Sequence, residues 1–428
     1  MDKKIFKNNR KKFFQLIKGD FIAILFMGQA PYKRGDEQYV FSPDRNFYYL
    51  TGIEREKCIL FLGRTQETIT ETLYIERDNG PMAKWVGATM KEEEAREISG
   101  IETIGYLDEF EEALSTYIFR NNAETIYLDL EYRDWSAALS PSLQFAKEVR
   151  DKYPAIHILN SYPLFSSLRE RKDTWEIERI QKAIDITCMG IKEMMAHARA
   201  GMMEYEIEAY FDFVLKKNGV RQKAFETIAA SGKNGTILHY AKNNSKTKDG
   251  DLILVDVGAQ VDWYNGDITR TFPVNGKFTE RQKQVYNIVL EGQKQVIDAI
   301  APDVPFADLN EILKEHYFVA LKKIGLVTTK EEVARYYYHG VSHYLGAETH
   351  DIGRYMTNTL KPGMVLTVEP GLYIEEWEIG IRIEDDVLVT EGGHQVLSEN
   401  MIKTVEEIEA FMAKGRSYGT KVYRSNDV

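Results

Sequence analysis

The stretch 251–273, DLILVDVGAQVDWYNGDITRTFP, constrains the fold more than any other part of the chain. At the two-residue period of a strand, Leu252, Leu254 and Asp256 share one face, and Ile253, Val255 and Val257 share the other. A carboxylate therefore stands in line with core leucines. Gly258, Asn265 and Gly266 mark a loop, after which a second short strand begins at Asp267 and runs through Phe272. Antiparallel pairing of the two strands would bring Asp256 and Asp267 together at one depth. An Asp at a strand end also serves turns by bonding nearby backbone, so the pair alone does not define a site. Two ionised carboxylates on apolar ground repel each other and lose hydration, which calls for a cation or a shared proton. A metal ion is the simplest partner.

At 428 residues the chain exceeds one ordinary core and points to two domains, at most three. Its 43% hydrophobic and 28% charged content is that of a globular protein, and a net charge of -11 leaves no positive excess to displace phosphate counterions, so nucleic acid is not an expected partner. Lys3, Lys4, Arg10, Lys11 and Lys12 read as a solvated N-terminal face. The N-terminus lacks the apolar core of a signal peptide, and no run of roughly 18 apolar residues suggests a membrane span. Cys58 and Cys188 read as free, buried thiols in a reducing compartment, so a cytoplasmic location is expected.

Along the chain, residues 5–18 read as an amphipathic helix, and FIAILFMG, FYYLTGI and CILFLG read as strands, followed by another over 71–76. Helices are expected over 91–98, 110–117 and 141–152, with strands TIYLDL and AIHILN on either side of the last, which together make an α/β domain. The segment SYPLFSSLRER reads as an exposed connection. Beyond it the order is helix, helix, strands, helix, helix, strands, an α+β second domain of two similar halves.

That second domain holds His239, His339, His343 and His350. The four-residue spacing in HGVSH suits one helix face, but Gly340 and Ser342 favour a loop. In MVLTVEPGLY, read as one strand, Val365, Thr367 and Glu369 share a face; in IGIRIEDDVLV, Arg382, Glu384 and Asp386 lie opposite Ile381 and Ile383. Four carboxylates on strands of one domain, with an imidazole in reach, suit a divalent ion such as Mn, Co, Fe or Zn rather than a thiolate zinc site. Four carboxylates overneutralise a single ion, so two ions fit better, and two neighbouring ions can hold a bridging hydroxide as the nucleophile of a hydrolysis.

The order Asp256, Asp267, His343, Glu369, Glu384, set in DVGAQVDWYNGDITRTFPV, HGVSHYLG, TVEPGLYI and GIRIEDDVLV, resembles the dinuclear metallopeptidases of the pita-bread fold. The whole chain is similar to aminopeptidase P, the Xaa-Pro aminopeptidases. FSPDRNFYYLTGI resembles that family's N-terminal module, and SLRERKDTWEIERIQKAIDIT its joining segment. The resemblance implies an α/β N-terminal domain over 1–168 and an α+β pita-bread catalytic domain over 169–428. It implies that Asp256 chelates one metal, that Asp267 and Glu384 bridge two, and that His343 and Glu369 complete the second, with Mn2+ the expected ion. It also implies that His239 holds the substrate near the scissile bond, that His350 stabilises the tetrahedral intermediate, and that His339, Tyr373 and Arg382 support the pocket. Glu369 would take the proton from the nucleophilic water. Trp85, in KWVG, would face a neighbouring subunit's active site in a homodimer or homotetramer, or is simply a core or surface aromatic. Glu348 and Thr349 depart from the family's usual aspartate and valine, at positions that are not ligands.

The expected reaction is removal of the first residue of a peptide whose second residue is proline. That bond is a tertiary amide without an N–H, which most peptidases need to hold an extended substrate. Prolidase is the nearest alternative, and Ser342 resembles the aminopeptidase P form, where prolidases usually carry glycine. Methionine aminopeptidase, a metal-free hydrolase and an inactive peptide-binding module of the same fold fit less well, the last two because neither needs to hold repelling carboxylates together.

Overall fold

The computed structural model describes residues 2–132, 134–355 and 358–422. Residues 423–428, with which the expected second domain ends, lie outside the described residues. The chain divides into two compact units, Met1–Leu168 and Arg169–Val428.

The first unit is built on a sheet of six strands, β1 (Phe21–Phe26), β2 (Ile59–Thr65), β3 (Thr68–Ile75), β4 (Thr103–Tyr106), β5 (Thr125–Leu128) and β6 (His157–Asn160). Their spatial order is β4-β3-β2-β1-β5-β6, antiparallel from β1 through β3 and parallel at both flanks. Ile22 and Ile24 of β1, Ile126 and Leu128 of β5, Phe110 and Leu114 of one helix, and Ala146 and Val149 of another form one buried cluster. This is the expected α/β arrangement.

Three local expectations fail here. SYPLFSSLRER, read as an exposed connection, carries a helix over Tyr162–Arg169 with Phe165 and Ser166 buried. FYYLTGI is not a strand: Arg45–Thr51 is a helix, because the Asp44 side chain accepts from the Phe47 N–H and Gly52, at φ 68°, ends the turn in the left-handed region. Its unbroken aromatic run reflects burial on all sides rather than a pleat. Arg10 is not solvated either. It is fully buried, donates through Nη1 to the carbonyls of Leu50 and Ser99, and lies 3.1 Å from Glu71.

The second unit opens with two helices, α1 (Thr174–His197) and α2 (Glu204–Lys217). Strands β7 (Ile228–Ser231), β8 (Leu252–Val257) and β9 (Ile268–Pro273) follow, with β8 in the middle of an antiparallel sheet. Helices α3 (Glu280–Ala299) and α4 (Phe306–Lys323) precede the last strands. These are β10 (Val365–Val368), β11 (Gly371–Ile374), β12 (Ile379–Arg382), β13 (Asp385–Thr390) and β14 (Gly393–Val396).

The two segments expected as single strands are each divided. MVLTVEPGLY breaks at Glu369-Pro370 into β10 and β11, and IGIRIEDDVLV breaks at Ile383-Glu384 into β12 and β13. Pro370 has no N–H to continue a ladder, which accounts for the first break. β10 pairs with β13 and β11 with β12, in separate sheets, so the long hairpin bends from one sheet into the other. Val368 faces Asp385 and Gly371 faces Arg382. The same register continued across the bend, where the Ile383 N–H reaches the Pro370 carbonyl at 3.3 Å, sets Glu369 opposite Glu384.

Gly52 gives a test of the first unit. A side chain there would adopt an unfavourable φ and its Cβ would overlap the Phe6 ring. Gly52→Ala should cost about 2–4 kcal/mol, read as a lower urea midpoint; an unchanged midpoint would contradict the assigned cap.

Candidate metal centre

Five side chains of the second unit converge at the bend. Asp256 is on β8, Asp267 directly precedes β9, His343 lies on the loop before β10, and Glu369 and Glu384 occupy the two breaks. The register of β8 and β9 places Asp256 opposite Thr269, so Asp267 is not at the same depth but one rung along the same face. The HGVSH segment is a loop, held to β10 by the Thr367 N–H on the His343 carbonyl and the Glu369 N–H on the Val341 carbonyl, both 2.9 Å.

One donor atom each from Asp267, His343 and Glu384 lie within 4.8 Å of one another. His343 Nε2 is 3.5 Å from Asp267 Oδ2 and 3.6 Å from Glu369 Oε1. Asp267 and Glu384 are 4% and 2% exposed, so water does little to screen them. Burial, then the charges of Asp256, Asp386 and Glu369, hold the Asp267 carboxyl well above the ordinary range. Burial, then Asp267, Asp256 and Glu369, do the same to Glu384. Burial also raises Glu369, which Asp256 pushes further and Arg382 opposes. This is the behaviour of a cluster short of positive charge.

The His343 imidazole is arranged as a neutral ligand. His343 Nδ1 is 3.0 Å from the Tyr344 carbonyl, which fixes the proton on that nitrogen and leaves Nε2 a lone pair facing the carboxylates. Burial, then the neighbouring His350, lowers His343 to about 4. The His350 ring stands edge-on to it with centroids 4.4 Å apart. Asp256 Oδ1 is buried and finds no hydrogen-bond partner among the described residues. An orphaned oxygen, an available imidazole nitrogen and mutually repelling carboxylates fit a divalent cation.

Around these residues runs a network that the sequence did not disclose. Arg382 donates from Nη2 to Asp256 (2.6 Å), from Nη1 to the Tyr373 hydroxyl (2.9 Å) and from Nε to Thr269 Oγ1 (3.1 Å). The Thr269 hydroxyl donates to Glu384 Oε2 at 2.7 Å. Tyr373 donates to His339 Nε2 at 2.9 Å, while His339 Nδ1 faces the Gly340 carbonyl at 2.7 Å. The Asp267 N–H donates to Asp386, another buried carboxylate, at 3.1 Å. Thr269 and Asp386 sit on the site-facing side of their segments, and that periodicity was the one signal available for them. His239 is exposed on a turn, near enough for its charge to act on His339. Trp85 is in the first unit, 84% exposed on a four-residue helix with exposed Met82 and Val86 beside it.

Carboxylates and an imidazole gathered around an ion site, with donors at the rim, are the equipment of a metallohydrolase. Residues 178–391 match the model of metallopeptidase family M24, and residues 6–127 match that of the aminopeptidase P N-terminal domain. The Xaa-Pro aminopeptidase of Escherichia coli (strain K12) is 32% identical over 433 residues, covering 96% of this chain and 98% of the relative. A solved Bacillus anthracis chain assigned as an aminopeptidase P is 50% identical with a TM-score of 0.95, covering 97% of this chain and 99% of that one. Aminopeptidase P from E. coli with the inhibitor Pro-Leu is 30% identical with a TM-score of 0.89, covering 97% and 99%. The chain belongs to metallopeptidase family M24, in its aminopeptidase P group, and is a metallo-aminopeptidase. Among the described residues no helix is long and apolar enough to cross a membrane.

The elevated carboxyls fix the sign of a pH effect. They cost the metal-free fold nothing below the ordinary carboxylate range and progressively more as pH rises from that range to their elevated values. A cation relieves that cost and displaces protons. The rise in Tm on adding Mn2+ should therefore be larger at pH 8 than at pH 6, and calorimetry in buffers of different ionisation enthalpy should show proton release. A pH-independent rise would contradict the assignment.

Proposed function

We propose that the chain removes the N-terminal residue from peptides with proline in second position, using two divalent ions, Mn2+ first among them. The observation that carries this reading is Glu369 set opposite Glu384 in a buried bend that Asp256, Asp267 and His343 also reach. Asp256 would hold one ion, Asp267 and Glu384 would serve both, and His343 and Glu369 would complete the second. When bound, such ions polarise a carbonyl and lower the pKa of water, which peptide hydrolysis requires.

The chain's own residues supply the rest. Glu369 is the base that receives the proton of the attacking water. Arg382 holds Asp256 in place by its 2.6 Å bond and, through Tyr373, orients His339 with its lone pair engaged. His239 and His350, both exposed, meet the peptide, His239 beside the scissile bond and His350 at the carbonyl oxygen. His339 and Tyr373 wall the space for the proline ring. Trp85, with Met82 and Val86, joins copies of the chain into a homodimer or homotetramer and brings the indole to a neighbour's substrate. The location consistent with this reading is cytoplasmic.

Offered an Xaa-Pro-Yaa tripeptide and an Xaa-Pro dipeptide side by side with Mn2+, the enzyme should prefer the tripeptide. Preference for the dipeptide would make it a prolidase. Asp267→Ala should lower metal stoichiometry, measured by elemental analysis, and reduce kcat by a factor on the order of 10³ or more; full activity would refute the bridging role.

A further inference from the structure

We infer that Glu204 is a positioning residue that fixes His239 in place, an inference resting on the substrate role of His239 proposed above. Glu204 is fully buried at the start of α2, with no cation paired to it among the described residues. Its carboxylate gathers donors from three separate pieces of chain. Oε1 accepts from the Ser231 N–H (2.8 Å) and hydroxyl (2.7 Å) at the end of β7, and from Asn234 Nδ2 (3.0 Å) in the short 3-10 turn Gly232–Thr236. Oε2 accepts from the Tyr240 hydroxyl (2.8 Å) and the Ser245 N–H (2.9 Å).

His239 lies between those anchors, one residue before Tyr240. Its ring makes no hydrogen bond among the described residues, so its place is set by the backbone that carries it. That backbone is held as well by buried Asn243, whose Oδ1 accepts from the Ala229 N–H (3.0 Å) and whose Nδ2 donates to the Thr227 carbonyl (2.8 Å). Beyond the Glu204 contacts, the Glu204 N–H donates to the Ser245 carbonyl at 3.0 Å, and the Thr247 N–H donates to the Met202 carbonyl at 2.8 Å. The Tyr338 hydroxyl donates to the Thr236 carbonyl at 2.9 Å from the exposed side.

A buried carboxylate costs hydration unless donors replace it, and here the replacement is a set of donors that close one loop. An apolar residue at 204 would leave the Ser231 and Ser245 N–H groups without this acceptor. The geometry therefore ties the end of β7, the 3-10 turn and the 240–245 segment to one buried carboxylate, with His239 carried between the last two. The arrangement acts through His239 and not on substrate directly, since Glu204 is shielded from solvent.

A double-mutant cycle tests this. Glu204→Gln turns one acceptor into a donor facing donors and should lower kcat/KM on an Xaa-Pro-Yaa tripeptide by ten- to a hundredfold, on the order expected for a misplaced contact, with bound Mn2+ per chain unchanged. Tyr240→Phe removes one donor, keeps the ring, and carries the cycle if the Gln variant does not fold. In a His239→Ala background either change should have no further effect, because the group being positioned is gone. Additive losses in the two backgrounds would overturn the inference while leaving the role of His239 intact. If His239→Ala alone leaves kcat/KM unchanged, the substrate role of His239 fails and the inference falls with it.

Discussion

Mutual repulsion among buried carboxylates is the constraint on which the second unit depends. Asp256, Asp267, Glu369, Glu384 and Asp386 meet where one long hairpin bends from sheet to sheet, with burial lifting the carboxyls of Asp267, Glu369, Glu384 and Asp386 above their ordinary range. Without positive charge this would be a poor use of a core, because each ionised group loses hydration and gains a like neighbour. A folded chain keeps such a cluster when something else supplies the charge, and the family to which the chain belongs is one of metallopeptidases. The bend itself is part of the solution. A straight ladder would send Glu369 and Glu384 out along its face, whereas the break at Pro370 lets both side chains turn toward β8 and β9.

The guanidinium beside the carboxylates is placed to order the site rather than to neutralise it. Arg382 reaches Asp256, Tyr373 and Thr269, and Thr269 reaches Glu384, so a single guanidinium sets several ligands and one pocket phenol. A planar fork with fixed donor directions does this in a way a lysine could not. Deeper in the same unit, Arg270 and Asp385 form a pair with neither side chain exposed, and Arg270 donates to the Glu384 carbonyl as well, anchoring the segment from below.

Much of this was legible in the sequence, and the limits were physical. The alternation around Asp256 and the carboxylates of TVEPGLYI and GIRIEDDVLV revealed a charged stripe inside strands, since period-two patterning survives in local sequence. The division of those strands was less visible, because alternation continues across a bend that keeps its register, and Pro370 was the remaining cue. FYYLTGI misled because a helix buried on every side has no polar face to betray its period, and the cap at Asp44 was the better signal. Arg10 misled because a basic run looks solvated until one member finds buried carbonyls. Thr269 and Asp386 showed only their place on the site-facing side, and Glu204 acts through contacts between segments far apart in the chain, which no local pattern encodes.

The proposed function requires two cations in the bend between the facing glutamates. Anomalous scattering from crystals of the Mn2+-loaded protein, collected at the manganese absorption edge, locates them directly. Two peaks should appear, one bounded by Asp256, Asp267 and Glu384 and one by Asp267, His343, Glu369 and Glu384. A single peak, or manganese bound away from Glu369 and Glu384, would contradict the account.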